Sequence, residues 1–237
     1  MTNPHTLILF DIDATLVKTG GAGIAAMVKA GRELVGEGFS AEGIAFAGRL
    51  DALIVPEMFA RAGHAPDEGM LRTFRARYHA KLVEHLQENR AQATALPGVP
   101  ALLEALRQQE HAVTLGLVTG NYAETGQEKL RACGIEPEWF AVAAWGDESP
   151  SSPPTRDDLP KVAMQRHHAS GRPAVPAQRT VVIGDTPHDV RCGRVNGFRT
   201  LGVATGWNSV HELADSGADW AVHDLADTDA IMRWLLG

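Results

Sequence analysis

The sequence has only two cysteines, Cys133 and Cys192, and they do not form a Cys-x-x-Cys pair. A disulfide framework is unsupported, both thiols are expected to be buried or neutral, and a reducing cytoplasm is the expected compartment. No apolar stretch reaches the roughly 20 residues that a membrane helix needs, so no membrane partner is expected. The opening Met1–Thr6 lacks the basic start and apolar run of a signal peptide. Runs of basic residues are also missing. With 22 Lys and Arg against 29 Asp and Glu, the formal charge is −7, which argues against a nucleic acid or an anionic membrane as partner. Neither an internal repeat nor a low-complexity tract is visible.

What remains is ordinary for a globular protein. Its 237 residues, 44% hydrophobic and 22% charged, suffice for one large domain or a core with a smaller companion, and exclude a disordered chain. Three kinds of segment follow one another. Leu7–Phe10 is a continuous apolar run, as expected of a strand covered on both faces, and it stops at Asp11.

Residues 17–94 read as helical throughout, with no convincing strand. Ile24, Met27, Val28, Leu34 and Val35 recur at helical spacing, as do Leu71, Phe74, Tyr78, Leu82 and Leu86 after the helix start Pro66-Asp67-Glu68. These stripes are read as core.

From residue 95 onward, strand and helix alternate. Strands are expected at 112–118, 140–144, 180–183, 200–204 and 220–222. Helices are expected through Leu102–Leu106, at 123–133, 157–168 and 189–196, near Val210 and near Ile231. Repeated β-α units imply a parallel sheet with helices on both faces. The fold class is therefore α/β, a Rossmann-like core of residues 1–16 and 95–237 with an all-helical insertion at 17–94. In such sheets ligands bind beyond the carboxyl ends of the strands.

Reactive side chains collect at those ends. The first strand leads into Asp11-Ile12-Asp13-Ala14-Thr15. Two carboxylates this close need a cation or a shared proton, and Mg2+ is the common hard cation for oxygen ligands. Taken alone, they serve equally well as turn or helix-cap residues. Thr119-Gly120-Asn121 follows the second core strand, at a helix mouth suited to binding an anion or simply capping the helix. Gly184-Asp185-Thr186-Pro187-His188-Asp189 follows the 180–183 strand. There Asp185 can face the same cation as Asp11, Asp189 can orient a bound water or a nearby cation, and His188 is expected at the surface.

This set, Asp11-x-Asp13-x-Thr15 with Thr119 and Gly184-Asp185-Thr186-x-x-Asp189, resembles the haloacid dehalogenase-like hydrolase superfamily. The insertion after the first motif resembles the helical cap of its subfamily I, the phosphoglycolate phosphatase and β-phosphoglucomutase relatives. The resemblance implies Asp11 as nucleophile forming an aspartyl-phosphate, and Asp13 as acid and then base. It also implies Mg2+ on the Asp11 side chain, the Asp13 backbone carbonyl and Asp185, with Asp189 in support. Thr119, with the N–H of Gly120 or Asn121, would take phosphoryl oxygens.

Two departures stand out. Relatives usually have glycine where Ala14 stands, and Ala14 is expected to fit by keeping negative φ. Relatives also carry a lysine near the start of the helix before the Gly184-Asp185 strand. Arg156 is matched to it, as in relatives with an Arg-x-x-Leu setting, and Lys161 is the rival. In the insertion, Gly48-Arg49 would reach a second anionic group of the substrate, or Arg49 would form a surface ion pair with Asp51. Lys18-Thr19-Gly20-Gly21 would be the hinge. Lys29, Lys81 and Lys129 are expected to be solvated, and Arg166-His167-His168 receives no function.

The resemblance implies a Mg2+-dependent phosphatase acting on a small phosphorylated metabolite, as monomer or homodimer. A 2-haloacid dehalogenase is the alternative enzyme, disfavoured because a halide leaving group needs no Asp13. A β-phosphoglucomutase finds no mark of a bisphosphate sugar in the insertion, and a phosphonatase would need a lysine such as Lys29 at the site. A non-catalytic phosphate-binding relative is the alternative outside enzymes.

Overall fold

The first apolar run forms the centre of the sheet. Strand β1 (Thr6–Phe10) is buried at every position, which is why its sequence carries no polar alternation. It is described here from a computed structural model covering residues 5–237. The reading of the opening residues falls largely on Met1–Pro4, outside the described residues.

After β1 the chain makes β2 (Val17–Lys18), α1 (Ala22–Val35), α2 (Asp51–Arg61), α3 (Glu68–Glu88) and β3 (Thr94–Ala95). It continues through α4 (Val99–Arg107), β4 (Val113–Val118), α5 (Ala123–Ala132), β5 (Val142–Ala144), α6 (Leu159–Ala169) and β6 (Thr180–Gly184). It ends with α7 (Pro187–Val195), β7 (Arg199–Val203), α8 (Val210–Asp215), β8 (Trp220–Val222) and α9 (Thr228–Leu236).

The six-stranded sheet has the order β5-β4-β1-β6-β7-β8, and its neighbouring strands pair in parallel. In register, Leu9 faces Gly116 on β4 and Val182 on β6. From β1 the chain passes to β4 and β5 on one side and then returns across to β6, β7 and β8 on the other, so the winding reverses beside β1. A crevice forms at its carboxyl end for that reason.

Helices α1, α2 and α3 build a second core around Phe39, Phe59 and Phe74, whose rings meet at 5.0–5.9 Å. Helix α3 starts where the sequence signals it, with Asp67 Oδ1 accepting from the Met70 N–H at 2.7 Å. The expectation that this region holds no strand needs correction. β2 and β3 pair antiparallel, Val17 with Ala95 and Lys18 with Thr94, where the chain leaves and re-enters the sheet domain. Two residues per strand are too short to leave a periodicity.

Candidate active site

Three adjacent strands deliver the reactive groups. Asp11 follows β1 and donates its N–H to Ile183 O at 2.9 Å, Thr119 follows β4, and Asp185 follows β6. Asp11, Asp185 and Asp189 each bring a carboxylate oxygen within 4.8 Å of the others, and all three are buried. Thr15 Oγ1 donates to Asp185 Oδ1 at 3.3 Å. Asp189 is already engaged. Its Oδ2 accepts from the Thr186 N–H at 3.0 Å and hydroxyl at 2.6 Å, closing the capping box that starts α7.

The turn after β1 departs from expectation. Ala14 has φ +56°, the one non-glycine residue with positive φ among the described residues, rather than the negative φ expected of alanine. The hydrogen bonds Ala14 N to Val17 O, 2.9 Å, and Val17 N to Ile12 O, 3.0 Å, fix this tight reversal. Thr205 Oγ1 also grips the Ala14 carbonyl at 2.5 Å. The turn overrides the residue's preference, at a cost of order 1–2 kcal/mol.

Arg156, buried, supplies positive charge. Its Nη2 lies 3.0 Å from Asp11 Oδ1 and 2.5 Å from Asp189 Oδ1. Lys161 is exposed on α6. Lys29 is exposed as well, and Lys81 pairs with Glu33 and Glu84.

Lys129 corrects the sequence reading, which places it in solvent. It is buried on α5, with Nζ 2.6 Å from Asp13 Oδ2 and 2.6 Å from Asn121 Oδ1. Asn121 Nδ2 completes the cluster, donating to Asp13 Oδ2 and Thr119 Oγ1, both at 2.8 Å. Asp13 therefore has its carboxylate steered, while 45% of its side chain stays exposed to the cleft.

Four carboxylates, Asp11, Asp13, Asp185 and Asp189, share this space with two cations, Arg156 and Lys129. Negative charge is in excess. Burial, with the Asp189 and Asp13 charges, pushes Asp11 up to about 6 against the pull of Arg156. Burial, with the Asp189 and Asp11 charges, pushes Asp185 up to about 8. Such a site, all oxygen donors and short of positive charge, fits a hard divalent cation.

The loop before α2 lies directly on the strand ends. Asp51 N donates to Gly120 O at 2.8 Å, and a Cβ on Gly120 would sit 2.0 Å from Arg49 O, so only glycine permits this approach. The expected surface pair between Arg49 and Asp51 is not formed. Arg49 Nη2 holds Glu57 Oε2 at 2.7 Å, whereas Asp51 is buried and accepts from the Tyr122 N–H at 3.3 Å. Burial raises Asp51 to about 7, against the opposing charge of Lys129. Arg75 on α3 ties the helices to the sheet domain from another side. It binds Glu124 at 2.5 and 2.8 Å, reaches Asp147, and stacks 4.2 Å from the Tyr122 ring centroid.

Between the helices and the strand ends lies a cleft of about 600 Å³ with Asp11, Asp13, Thr119, Arg156 and Asp185 on its wall. His188 is exposed beside it. His167 and His168 bind the Pro173 and Val175 carbonyls at 2.9 and 3.3 Å, away from the site. Cys133 and Cys192 are free thiols whose pKa burial raises, Cys133 to about 11.

Acid-tipped parallel strands under a helical cover define an α/β protein with a Rossmann-like core and a candidate active site at its strand ends. The family described as haloacid dehalogenase-like hydrolase matches residues 8–203, and the chain belongs to it. Pyrophosphatase PpaX of Oceanobacillus iheyensis is 25% identical over 230 residues, 95% of each chain. Its namesake from Listeria innocua is 26% identical over 243 residues, 98% of this chain and 99% of the relative. The crystal structure of a predicted phosphoglycolate phosphatase from Haemophilus somnus 129PT has the same fold, with TM-score 0.68 and 23% identity over 98% of this chain and 99% of that one. The protein is thus a haloacid dehalogenase-like hydrolase, and these relatives are named as phosphatases. No helix among the described residues is long and apolar enough to cross a membrane.

Proposed function

We propose that the protein is a Mg2+-dependent phosphomonoesterase that works through an aspartyl-phosphate on Asp11. One observation carries the reading: Asp11, at the end of the central strand and on the cleft wall, lies 3.0 Å from the Arg156 guanidinium and within 4.8 Å of the Asp185 carboxylate. Asp11 and Asp185, with the Asp13 backbone carbonyl, would hold Mg2+. Bound there, the ion would shield the incoming phosphoryl charge from the nucleophile.

The rest is the work of the chain. An Asp11 oxygen attacks phosphorus while the bond from phosphorus to the leaving alcohol oxygen breaks. Asp13 gives that oxygen its proton. Water then attacks the aspartyl-phosphate, Asp13 takes the proton back, and phosphate and free Asp11 result. Lys129 and Asn121 hold Asp13 on the cleft side. Thr119 and the N–H groups after it, with Arg156, receive the phosphoryl oxygens.

Residues 17–94 act as a cap that closes the cleft, with the β2–β3 ribbon as its hinge, and the reaction takes place in the cytoplasm. The relatives' name adds inorganic pyrophosphate to the candidate substrates, beside small phosphate esters.

The test is hydrolysis of p-nitrophenyl phosphate. Turnover is expected with Mg2+, and is expected to vanish in EDTA and in Asp11→Asn. Chloride release from a 2-haloacid without metal would replace this reading with a dehalogenase, and absence of both activities with a binding protein.

A further inference from the structure

The cleft walls above the strand ends carry an apolar surface that phosphate chemistry does not use. Among the described residues three large hydrophobic side chains are exposed: Ile24 at 39%, Val195 at 58% and Trp207 at 94%. Two of the three, Ile24 and Trp207, line this cleft, joined there by Met27, Phe46 and Ile54. Exposed apolar side chains clustered at a concave site mark a binding surface, because leaving them in water forgoes the gain of burial.

Trp207 is presented by a fastened loop. Thr205 Oγ1 binds the Ala14 carbonyl at 2.5 Å, and Asn208 Nδ2 binds the Asp185 carbonyl at 3.1 Å. Between them, a Cβ on Gly206 would meet Asp185 Oδ2 at 1.9 Å, so the backbone packs against the acid itself. The loop that carries the indole is thus anchored to the same two loops that carry Asp11 and Asp185.

The buried and half-buried positive charge on these walls is already committed. Arg156 serves Asp11 and Asp189, Lys129 serves Asp13 and Asn121, and Arg49 serves Glu57 and the Ala45 carbonyl at 3.0 Å. Lys18, the other lysine on the cleft wall, is exposed on β2. A second phosphate or a carboxylate on the substrate would meet no desolvated cation of its own.

We infer that the preferred substrate is a phosphomonoester whose organic part is uncharged and apolar, aromatic above all, seated against Trp207 and Ile24. The inference rests on the phosphatase reading above and narrows it. It sets such esters ahead of pyrophosphate, phosphoglycolate and sugar bisphosphates.

The test compares esters with the same kind of leaving oxygen, 2-phenylethyl phosphate and phosphoglycolate, beside pyrophosphate, all with Mg2+. The phenylethyl ester is expected to have a kcat/KM about tenfold or more above either, in keeping with the aromatic contact and the area buried. Trp207→Ala and Ile24→Ser should each shrink that advantage severalfold, and Val195→Ala, outside the cleft, should leave it unchanged. Thermal unfolding of each variant checks that it is folded.

A second arm needs no turnover: calorimetric binding of 2-phenylethylphosphonate against methylphosphonate. Tighter binding of the aromatic ligand, lost in Trp207→Ala, supports the subsite even if no ester is hydrolysed, in which case only the phosphatase reading fails. Turnover that favours phosphoglycolate or pyrophosphate, or a preference indifferent to Trp207 and Ile24, overturns the inference while leaving the phosphatase reading standing.

Discussion

Lys129 Nζ lies 2.6 Å from Asp13 Oδ2, so an ammonium on the buried face of α5 holds the proposed proton-transfer residue. Replacing it with methionine removes the charge and keeps much of the bulk. Lys129→Met is expected to lower kcat by about 10²-fold, the lower end of what a positioned acid–base group contributes. KM should change much less, because Lys129 faces Asp13 and Asn121. Steady-state kinetics on p-nitrophenyl phosphate read the split, and a loss confined to KM would contradict this role.

Asp11→Asn should cost at least about 10³-fold in activity, since the amide cannot form the acyl phosphate. Its effect on folding should run the other way. Burial and the charges of Asp189 and Asp13 disfavour the Asp11 anion, so a neutral amide of the same shape relieves the crowding. Without metal, the variant is expected to melt higher than the parent protein. A lower melting temperature would show that the Asp11–Arg156 pair outweighs the repulsion.

The same crowding sets a pH dependence. Asp11 and Asp185 rise from 3.8 in the ordinary state to about 6 and about 8 in the folded chain. The folded form then binds their protons more tightly than the unfolded form. Their favourable share of stability is complete below pH 3.8 and is lost as pH rises through about 6 and then about 8. In EDTA the melting temperature should therefore fall between about pH 4 and about pH 8. Mg2+ binds the ionised forms, so it should flatten or reverse that fall, and differential scanning calorimetry with and without the ion checks it.

Gly120→Ala places a methyl 2.0 Å from the Arg49 carbonyl. Backbone cannot yield as a side-chain tip does, so the loop before α2 must lift off the strand ends. The expected result is a cost of about 1–3 kcal/mol and a loss of kcat/KM greater than that for a surface Gly→Ala change. Faster amide exchange at residues 46–51 would accompany it. Unchanged exchange there would mean that the loop is held by other contacts.

Much of the site was legible because each acid or hydroxyl directly follows an apolar run: Asp11 after Leu7–Phe10, Thr119 after Val118, and Asp185 after Ile183-Gly184. Parallel topology then brings those ends together without further information. Lys129 escaped notice because a lone lysine in a helix is ordinarily solvated. The buried face of α5 that it shares with Thr125, Gly126 and Leu130 has only one large apolar side chain, too little to show as a hydrophobic stripe in the sequence. The left-handed Ala14 was not legible, because alanine disfavours that conformation and only the turn's hydrogen bonds impose it. Nor was the seat of Arg49 and Asp51 on Gly120, a long-range contact with no local pattern.

The β2–β3 ribbon has a consequence for how such a chain diversifies. Outward and return crossings run side by side, two residues each, and the six-stranded sheet hydrogen-bonds across neither. The residues between Lys18 and Thr94 add no strand to that sheet, so changes among them that keep the contacts of Asp51 with Gly120 and of Arg75 with Glu124 leave untouched the register that assembles Asp11, Thr119 and Asp185.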